Sequence, residues 1–292
     1  MGFSWLRKNR PLSKKAFLRL IEPEKMENID RPLDEQKNTL LHLAAIYQNK
    51  EAIKKLLEQG ANPQKRNAFS FSFYDLAYYL LEQNTGENRI GIYSQKEHRI
   101  KYINEKQFEA FFSVKYLDHL QFASYSALQW VYEKNERQLK KGDVNKTNHW
   151  TRALLEKELR KKCLPDIYIK WINAFIGYGI FAAKDIPEYT FIGEYSGLIK
   201  RRRRRRDLGN DYIFGYVTGP SDTPYMIDAE KYGNFVRFIN HSDEPNLTSR
   251  WIISDNISHI VLFANRFIPK DTQLTYDYGP YYWKRRSSPV LL

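Results

Sequence analysis

Three short stretches carry side chains that can do chemistry. Leu274-Thr275-Tyr276-Asp277-Tyr278-Gly279 puts two phenols at i and i+2, on one face of an extended chain. Arg237-Phe238-Ile239-Asn240-His241-Ser242, upstream, supplies a guanidinium, an amide and an imidazole within a few residues. Gly177-Tyr178-Gly179-Ile180-Phe181-Ala182 opens with two glycines about an aromatic, which allows close backbone approach and unusual φ angles. Each has an ordinary explanation on its own: strand tyrosines, a core histidine beside a turn-forming asparagine, a tight turn.

In this order and spacing the stretches resemble the SET-domain protein lysine methyltransferases. The longest piece of the resemblance runs through Asp228-Ala229, Gly233-Asn234, Arg237-Phe238-Ile239-Asn240-His241-Ser242 and Pro245-Asn246. It covers roughly residues 166–283, under half of the chain. It implies S-adenosyl-L-methionine as cofactor, its methionine end held by the turn at Gly177, Tyr178 and Gly179. Asn240 and His241 would contact its amino-acid and adenine ends, from a chain threaded through a pseudoknot, with Arg237, in the same motif, as a further cofactor contact. Tyr212, in Asp211-Tyr212-Ile213-Phe214, would meet both cofactor and lysine channel, with a plain strand tyrosine as the alternative.

The resemblance makes Tyr278 the main catalytic residue. A lysine ammonium has a solution pKa near ~10.4, and only the neutral amine has a lone pair for attack on a sulfonium methyl. A dry channel favours the neutral amine, and a fixed phenol orients it. Tyr276 falls at the family's switch position, where tyrosine goes with mono- or dimethylation. One departure stands out. Asp243 occupies the place where many relatives carry a zinc-ligating cysteine, and Cys163 is the only cysteine in the chain. No cysteine zinc cluster, metal site or intramolecular disulfide is expected. Tyr281-Tyr282-Trp283 is the candidate to wall the channel and cover adenine, with Trp283 as a cofactor contact; an aromatic clamp for stability alone is the alternative.

The elements that must position these residues divide the chain in two. Thr39-Leu40-Leu41-His42-Leu43-Ala44 resembles the opening of an ankyrin repeat. Ala52, Ile53, Leu56 and Leu57 follow at helical spacing, and Gly60 ends that helix. Phe73-Tyr74-Asp75-Leu76-Ala77 echoes the pattern faintly. The expected organisation is a helical cap over 1–36, ankyrin-like repeats over 37–105, a helical connector over 106–164, a mostly-β SET domain over 165–283 and a tail over 284–292. From Pro165 onward Ile167–Trp171, Ile180–Ala182, Phe191–Tyr195, Tyr212–Val217, Ile260–Ala264 and Leu274–Tyr276 are strand candidates. The fold class is α+β multidomain: helical repeats and connector, then the strand-rich domain.

The 292 residues carry a formal charge of +13, which points to an acidic partner or one sitting on something acidic. Arg201–Arg206 is an unbroken run of arginines inside the SET resemblance, where relatives carry a variable helical insert. It reads as a solvated helix face, a contact for phosphates or an acidic protein surface such as a nucleosome, or a nuclear import signal. The implied partners are a protein substrate, histone by default, and a protein held by the ankyrin-like repeats. No membrane is expected, since the sequence shows no secretory h-region or membrane-length apolar run. Ankyrin repeats beside a SET domain without zinc clusters also resemble effectors that intracellular bacteria send into host cells, which would place the protein in a host nucleus. Other readings remain: a binding module whose SET fold is inactive scaffold, and a nucleic-acid binder driven by charge.

Overall fold

Thr39 and Ser72 start helices in the same way. Each accepts the N–H of the residue three ahead, and that residue answers with its own side chain, His42 for helix Leu40–Ile46 and Asp75 for helix Phe73–Leu80. The His42 ring joins two loops: Nδ1 accepts from the Thr39 N–H at 3.1 Å and Nε2 donates to the Phe71 carbonyl at 3.0 Å. Burial pushes its pKa below the ordinary histidine value, consistent with that neutral tautomer. The computed structural model describes residues 11, 13–21, 28–81, 89–142, 146–162, 164–203, 207, 209–218 and 221–283. They divide into two units, 1–83 with 121–129, and 84–120 with 130–292.

In the first unit, helix Lys50–Glu58 is capped by Asn49 and buries Ala52, Ile53 and Leu56. Together with Leu41, Leu43, Ala44 and Leu76, these side chains form its core. Helix Lys14–Leu20 adds Phe17, fully buried and 5.5 Å from the Tyr47 ring. The faint second repeat shows its first helix, Phe73–Leu80; residues 82–88 lie outside the described residues.

The sequence reading differs from the structure past that point. Residues 90–103, assigned to the repeats, form a β-hairpin of Ile90–Ser94 with Arg99–Ile103 and belong to the second unit. Arg99-Ile100-Lys101-Tyr102 alternates polar and apolar residues, a period of two that no ankyrin helix has. The connector is likewise more than helix. Helices Glu105–Phe112 and Lys146–Lys161 are present, but Lys115–Tyr116 is a strand paired in parallel with Tyr232–Gly233.

The second unit is built of small sheets. The hairpin 90–103 is extended by strand Ile167–Asn173, parallel to Ile90–Ser94, and then by Gly177–Ala182. Strands Leu198–Arg201 and Ile213–Thr218 flank Ser221–Asp228. Leu247–Ser254 and Phe191–Glu194 flank Ile257–Ala264, which is buried along its whole length. Helix Lys146–Lys161 covers this last sheet, laying Leu155 and Leu159 against Phe191, Ile252, Val261 and Phe263. All six strand candidates overlap observed strands. The last of these, Thr275–Tyr276, is very short and runs parallel to the equally short Asn240–His241.

The arginine run is not helical where it is described. Arg201 ends a strand, the Arg202 N–H donates to the Pro224 carbonyl at 2.9 Å, and its Nε to the Tyr225 carbonyl at 3.2 Å. These sideways bonds exclude a helix at 201–203; residues 204–206 and the tail 284–292 lie outside the described residues. Among the described residues, no helix is long and apolar enough to cross a membrane.

Leu262, fully buried in the central strand of its sheet, should be costly to truncate. Leu262→Ala should lower unfolding free energy by about 2–5 kcal/mol, read from chemical denaturation of the full chain.

Candidate active site

The turn before Gly177 is set by Asn173, whose Oδ1 accepts the N–H groups of Phe175 and Ile176, both at 2.9 Å. Gly177 then takes φ +80°, a region that L side chains rarely enter. Gly179 is closely approached: a Cβ there would stand 2.7 Å from Ile172 Cδ1, 2.9 Å from Gln273 Nε2 and 3.2 Å from Asn240 Nδ2, so these side-chain ends would have to move. Between the glycines, the Tyr178 ring packs against Trp171 and Phe112 at 5.0 and 5.1 Å, and its carbonyl accepts from Asn240 Nδ2 at 3.1 Å. The expected Gly177-Tyr178-Gly179 strap and Asn240 therefore meet.

A second cluster forms where Asn240–His241 pairs with Thr275–Tyr276. The register sets Asn240 opposite Thr275 and His241 opposite Tyr276. Tyr276 is buried, and its ring lies 4.8 Å from Tyr278 and nearly parallel to Phe214 at 6.5 Å. The Tyr278 hydroxyl donates to the Ile239 carbonyl at 2.9 Å, while its backbone N–H donates to His241 Nδ1 at 3.2 Å. Burial pushes both phenols well above the ordinary tyrosine value, so both are neutral at physiological pH. Tyr195, buried nearby, is raised for the same reason.

The aromatic turn Pro280–Trp283 closes over this pair. The Tyr282 ring meets Tyr278 edge-on at 4.7 Å, and Trp283 lies 4.9 Å from His241 and stacks over Tyr278 at 6.2 Å. Two nearby donors, Gln273 Nε2 and Trp283 Nε1, are buried without a hydrogen-bond partner among the described residues. Buried donors are rarely left so.

Tyr212 and Arg237 also come together, but with a different role for Arg237 than the resemblance implied. Its guanidinium lies 3.7 Å from the Tyr212 ring, donates from Nε to the Ala229 carbonyl at 2.8 Å and from Nη2 to the Glu230 carbonyl at 3.1 Å. The side chain is buried, and burial lowers its pKa from the ordinary arginine value. Arg237 is a brace between segments, with its planar fork turned to backbone carbonyls. Asp228, next to that brace, feels burial that would raise its carboxyl. Lys200, the Glu230 N–H and the Asn210 amide outweigh it, and the pKa is lowered.

Sequence reasoning missed three contributors. The Ile239 carbonyl has no side-chain signal. Gln273 stands just ahead of the Tyr276 motif and reaches Gly179 only in three dimensions. Asn246 was quoted in the Pro-Asn end of the long motif without a role. Its Nδ2 donates to the Gln273 carbonyl at 2.8 Å and its Oδ1 accepts the Thr275 N–H at 2.9 Å. The small cavities bounded by Tyr116, Leu164 and Phe235 contain none of the expected site residues. Among the described residues, no group of three or more His, Cys, Asp or Glu side chains is placed to hold a metal ion.

The family model of the SET domain matches residues 177–279, and that of the ankyrin repeat matches residues 36–68. The chain is 36% identical over 107 residues to the H3 lysine-9 specific histone-lysine N-methyltransferase SUVH5 of Arabidopsis thaliana, covering 35% of this chain and 14% of that protein. It is 35% identical over 105 residues to human histone-lysine N-methyltransferase 2D, covering 35% of this chain and 2% of that protein. It thus spans only a small part of the curated relatives it matches. A solved structure of KRYPTONITE in complex with mCHH DNA, H3(1-15) peptide and SAH is 33% identical, with a TM-score of 0.37, over 44% of this chain and 26% of that one. The segment that builds the phenol pair and the glycine strap is a SET domain, on a chain that also carries an ankyrin repeat.

Proposed function

We propose that the protein transfers a methyl group from S-adenosyl-L-methionine to the side-chain amine of a protein lysine. The observation that carries this reading is the pair of buried, neutral phenols, Tyr276 and Tyr278, set beside the strap of Gly177, Tyr178, Gly179 and Asn240. The relatives named above are histone-lysine methyltransferases, which supports the same reading.

The residues present fit the cofactor. Gln273 Nε2 and Trp283 Nε1, buried and without a partner among the described residues, offer two unspent hydrogen bonds. Gly177, Tyr178, Gly179, Asn240, His241 and Trp283 would hold it, with Tyr212 at the channel. Arg237 supports this set from behind, through Tyr212. When bound, S-adenosyl-L-methionine supplies an electrophilic methyl on a sulfonium sulfur.

Tyr278 commits its hydroxyl proton to the Ile239 carbonyl. Toward substrate, its oxygen therefore acts only as an acceptor. It takes an N–H of the lysine amine and so orients the remaining lone pair. The Tyr276, Tyr282 and Trp283 rings exclude water around that amine, and desolvation favours its neutral form. Tyr276 narrows the space into which a methylated amine must turn, so the product is mono- or dimethyl-lysine. A histone or another chromatin protein is the substrate class that the relatives and the +13 charge favour. Arg201–Arg206 would add contact with DNA or an acidic surface, and the ankyrin repeat would hold a protein partner.

Transfer of label from S-adenosyl-L-methionine to core histones and nucleosomes tests the reading. Labelled lysine is expected with the wild-type chain. A chain that binds cofactor yet labels no histone would point to a non-histone substrate, and a chain that binds no cofactor would favour the inactive-scaffold reading instead. Tyr278→Phe should cut kcat by at least ~100-fold with little change in cofactor affinity; near-normal turnover would remove Tyr278 from its role. Tyr276→Phe should raise the methylation state seen by mass spectrometry, and an unchanged product distribution would refute the switch. Gly179→Ala should weaken cofactor binding by about tenfold or more, measured by calorimetry, because the added methyl displaces Asn240 or Gln273.

A further inference from the structure

His241 is the point at which three segments of the site meet. Its backbone lies in the short strand paired with Thr275–Tyr276. Its Nδ1 accepts the Tyr278 N–H at 3.2 Å, and its ring lies 4.9 Å from Trp283. A neutral imidazole that accepts at Nδ1 carries its proton on Nε2. That atom lies 3.2 Å from Asp243 Oδ1, so the Nε2–H donates to the Asp243 carboxylate. Asp277 is the rival acid. Its Oδ1 stands 3.7 Å from Nδ1, beyond hydrogen-bond reach, and instead accepts the Gly279 N–H at 2.8 Å.

We propose that Asp243 is a positioning residue for the cofactor and lysine site, acting through His241. Its carboxylate selects the Nε2–H tautomer and holds the ring edge-on to the Tyr278 backbone. With the ring held, Nδ1 fixes the Tyr278 N–H while the Tyr278 hydroxyl is fixed at Ile239, so the catalytic phenol is held at both ends. The same ring backs Trp283, alongside the Tyr278 and Tyr282 rings; the turn Pro280–Trp283 follows Gly279 at φ +80°, and the Tyr282 N–H donates to the Gly279 carbonyl at 3.2 Å. Without Asp243 the imidazole can flip or change tautomer, and both the phenol and the aromatic cover lose their reference. The inference rests on the cofactor site proposed above, but the pin itself exists without cofactor.

Two readouts on the full chain separate these. The first is hydrogen exchange of the Tyr278 amide in the absence of cofactor, with the imidazole nitrogen shifts of His241 alongside. Asp243→Ala should speed that exchange by about tenfold and mix the two tautomers. Asp243→Asn keeps an acceptor at the same place and should stay near wild type. Glu244→Ala removes the same charge from the same exposed loop without touching His241, and should change nothing. The second readout is calorimetric binding of S-adenosyl-L-methionine, which Asp243→Ala should weaken about five- to tenfold, with Asp243→Asn and Glu244→Ala near wild type. Exchange and tautomer unchanged in Asp243→Ala would overturn the proposal, as would an equal loss of binding in Glu244→Ala. A wild-type chain that binds no cofactor would instead overturn the cofactor reading, and the exchange measurement would still decide the pin.

Discussion

The parallel pairing of Asn240–His241 with Thr275–Tyr276 is the constraint on which the site depends. Two residues on each side make few backbone hydrogen bonds, so side chains must hold the register. Asn246 does this, giving its amide to the Gln273 carbonyl and taking the Thr275 N–H. With that register held, Tyr276 and Tyr278 lie close together and the Tyr278 hydroxyl meets the Ile239 carbonyl just before the partner strand. A slip by one residue would turn each side chain to the opposite face and separate the phenols from that carbonyl.

The walls of the site are built by two kinds of force. On the side of Tyr212, charge does the work: Arg237 ties the Ala229 and Glu230 carbonyls together, and Lys200 holds Asp228. A buried guanidinium is costly unless its protons are used, and here carbonyls and an aromatic face use them. On the side of Tyr278 the walls are rings: Tyr276, Tyr282, Trp283 and His241 each meet the Tyr278 ring, and His241 also meets Trp283. Charge–carbonyl bonds make a stiff wall, since their geometry is directional. Ring contacts are less directional, since offset-stacked and edge-to-face pairs are both favourable.

Much of this was legible in the sequence, for reasons that differ by element. The glycine strap and the Asn240-His241 and Tyr276, Tyr278 motifs could be read because each residue type is required locally: φ +80° at Gly177, close side-chain approach at Gly179, two phenols on one face. The opening of the ankyrin repeat was legible because Thr39 and His42 cap a helix within four residues of sequence. The hairpin 90–103 was missed because its alternation is short and flanked by helical patterns. Strand Lys115–Tyr116 was missed because its partner, Tyr232–Gly233, is far away in sequence. Arg237 was expected at the cofactor, and its guanidinium is turned to the Ala229 and Glu230 carbonyls. A motif tells which residues are needed together, not whether a guanidinium points at a ligand or at its own backbone.

The use of neutral phenols where carboxylates are available has a physical reason under the proposed chemistry. A carboxylate in contact with the lysine would stabilise its ammonium form and hold it without a lone pair. A phenol oxygen accepts a hydrogen bond without that penalty, and burial keeps Tyr276 and Tyr278 neutral. The nearby acids, Asp211, Asp243 and Asp277, are all exposed, and they act on a cation only through water and salt. They can draw a lysine toward the entrance while it is charged. Past the rim, the surroundings change from screened carboxylates to enclosed rings, and the ammonium loses both its hydration and its counter-charge. The two regions therefore act in opposite directions: the exposed carboxylates favour the cation outside, and the enclosed rings favour the neutral amine at Tyr278.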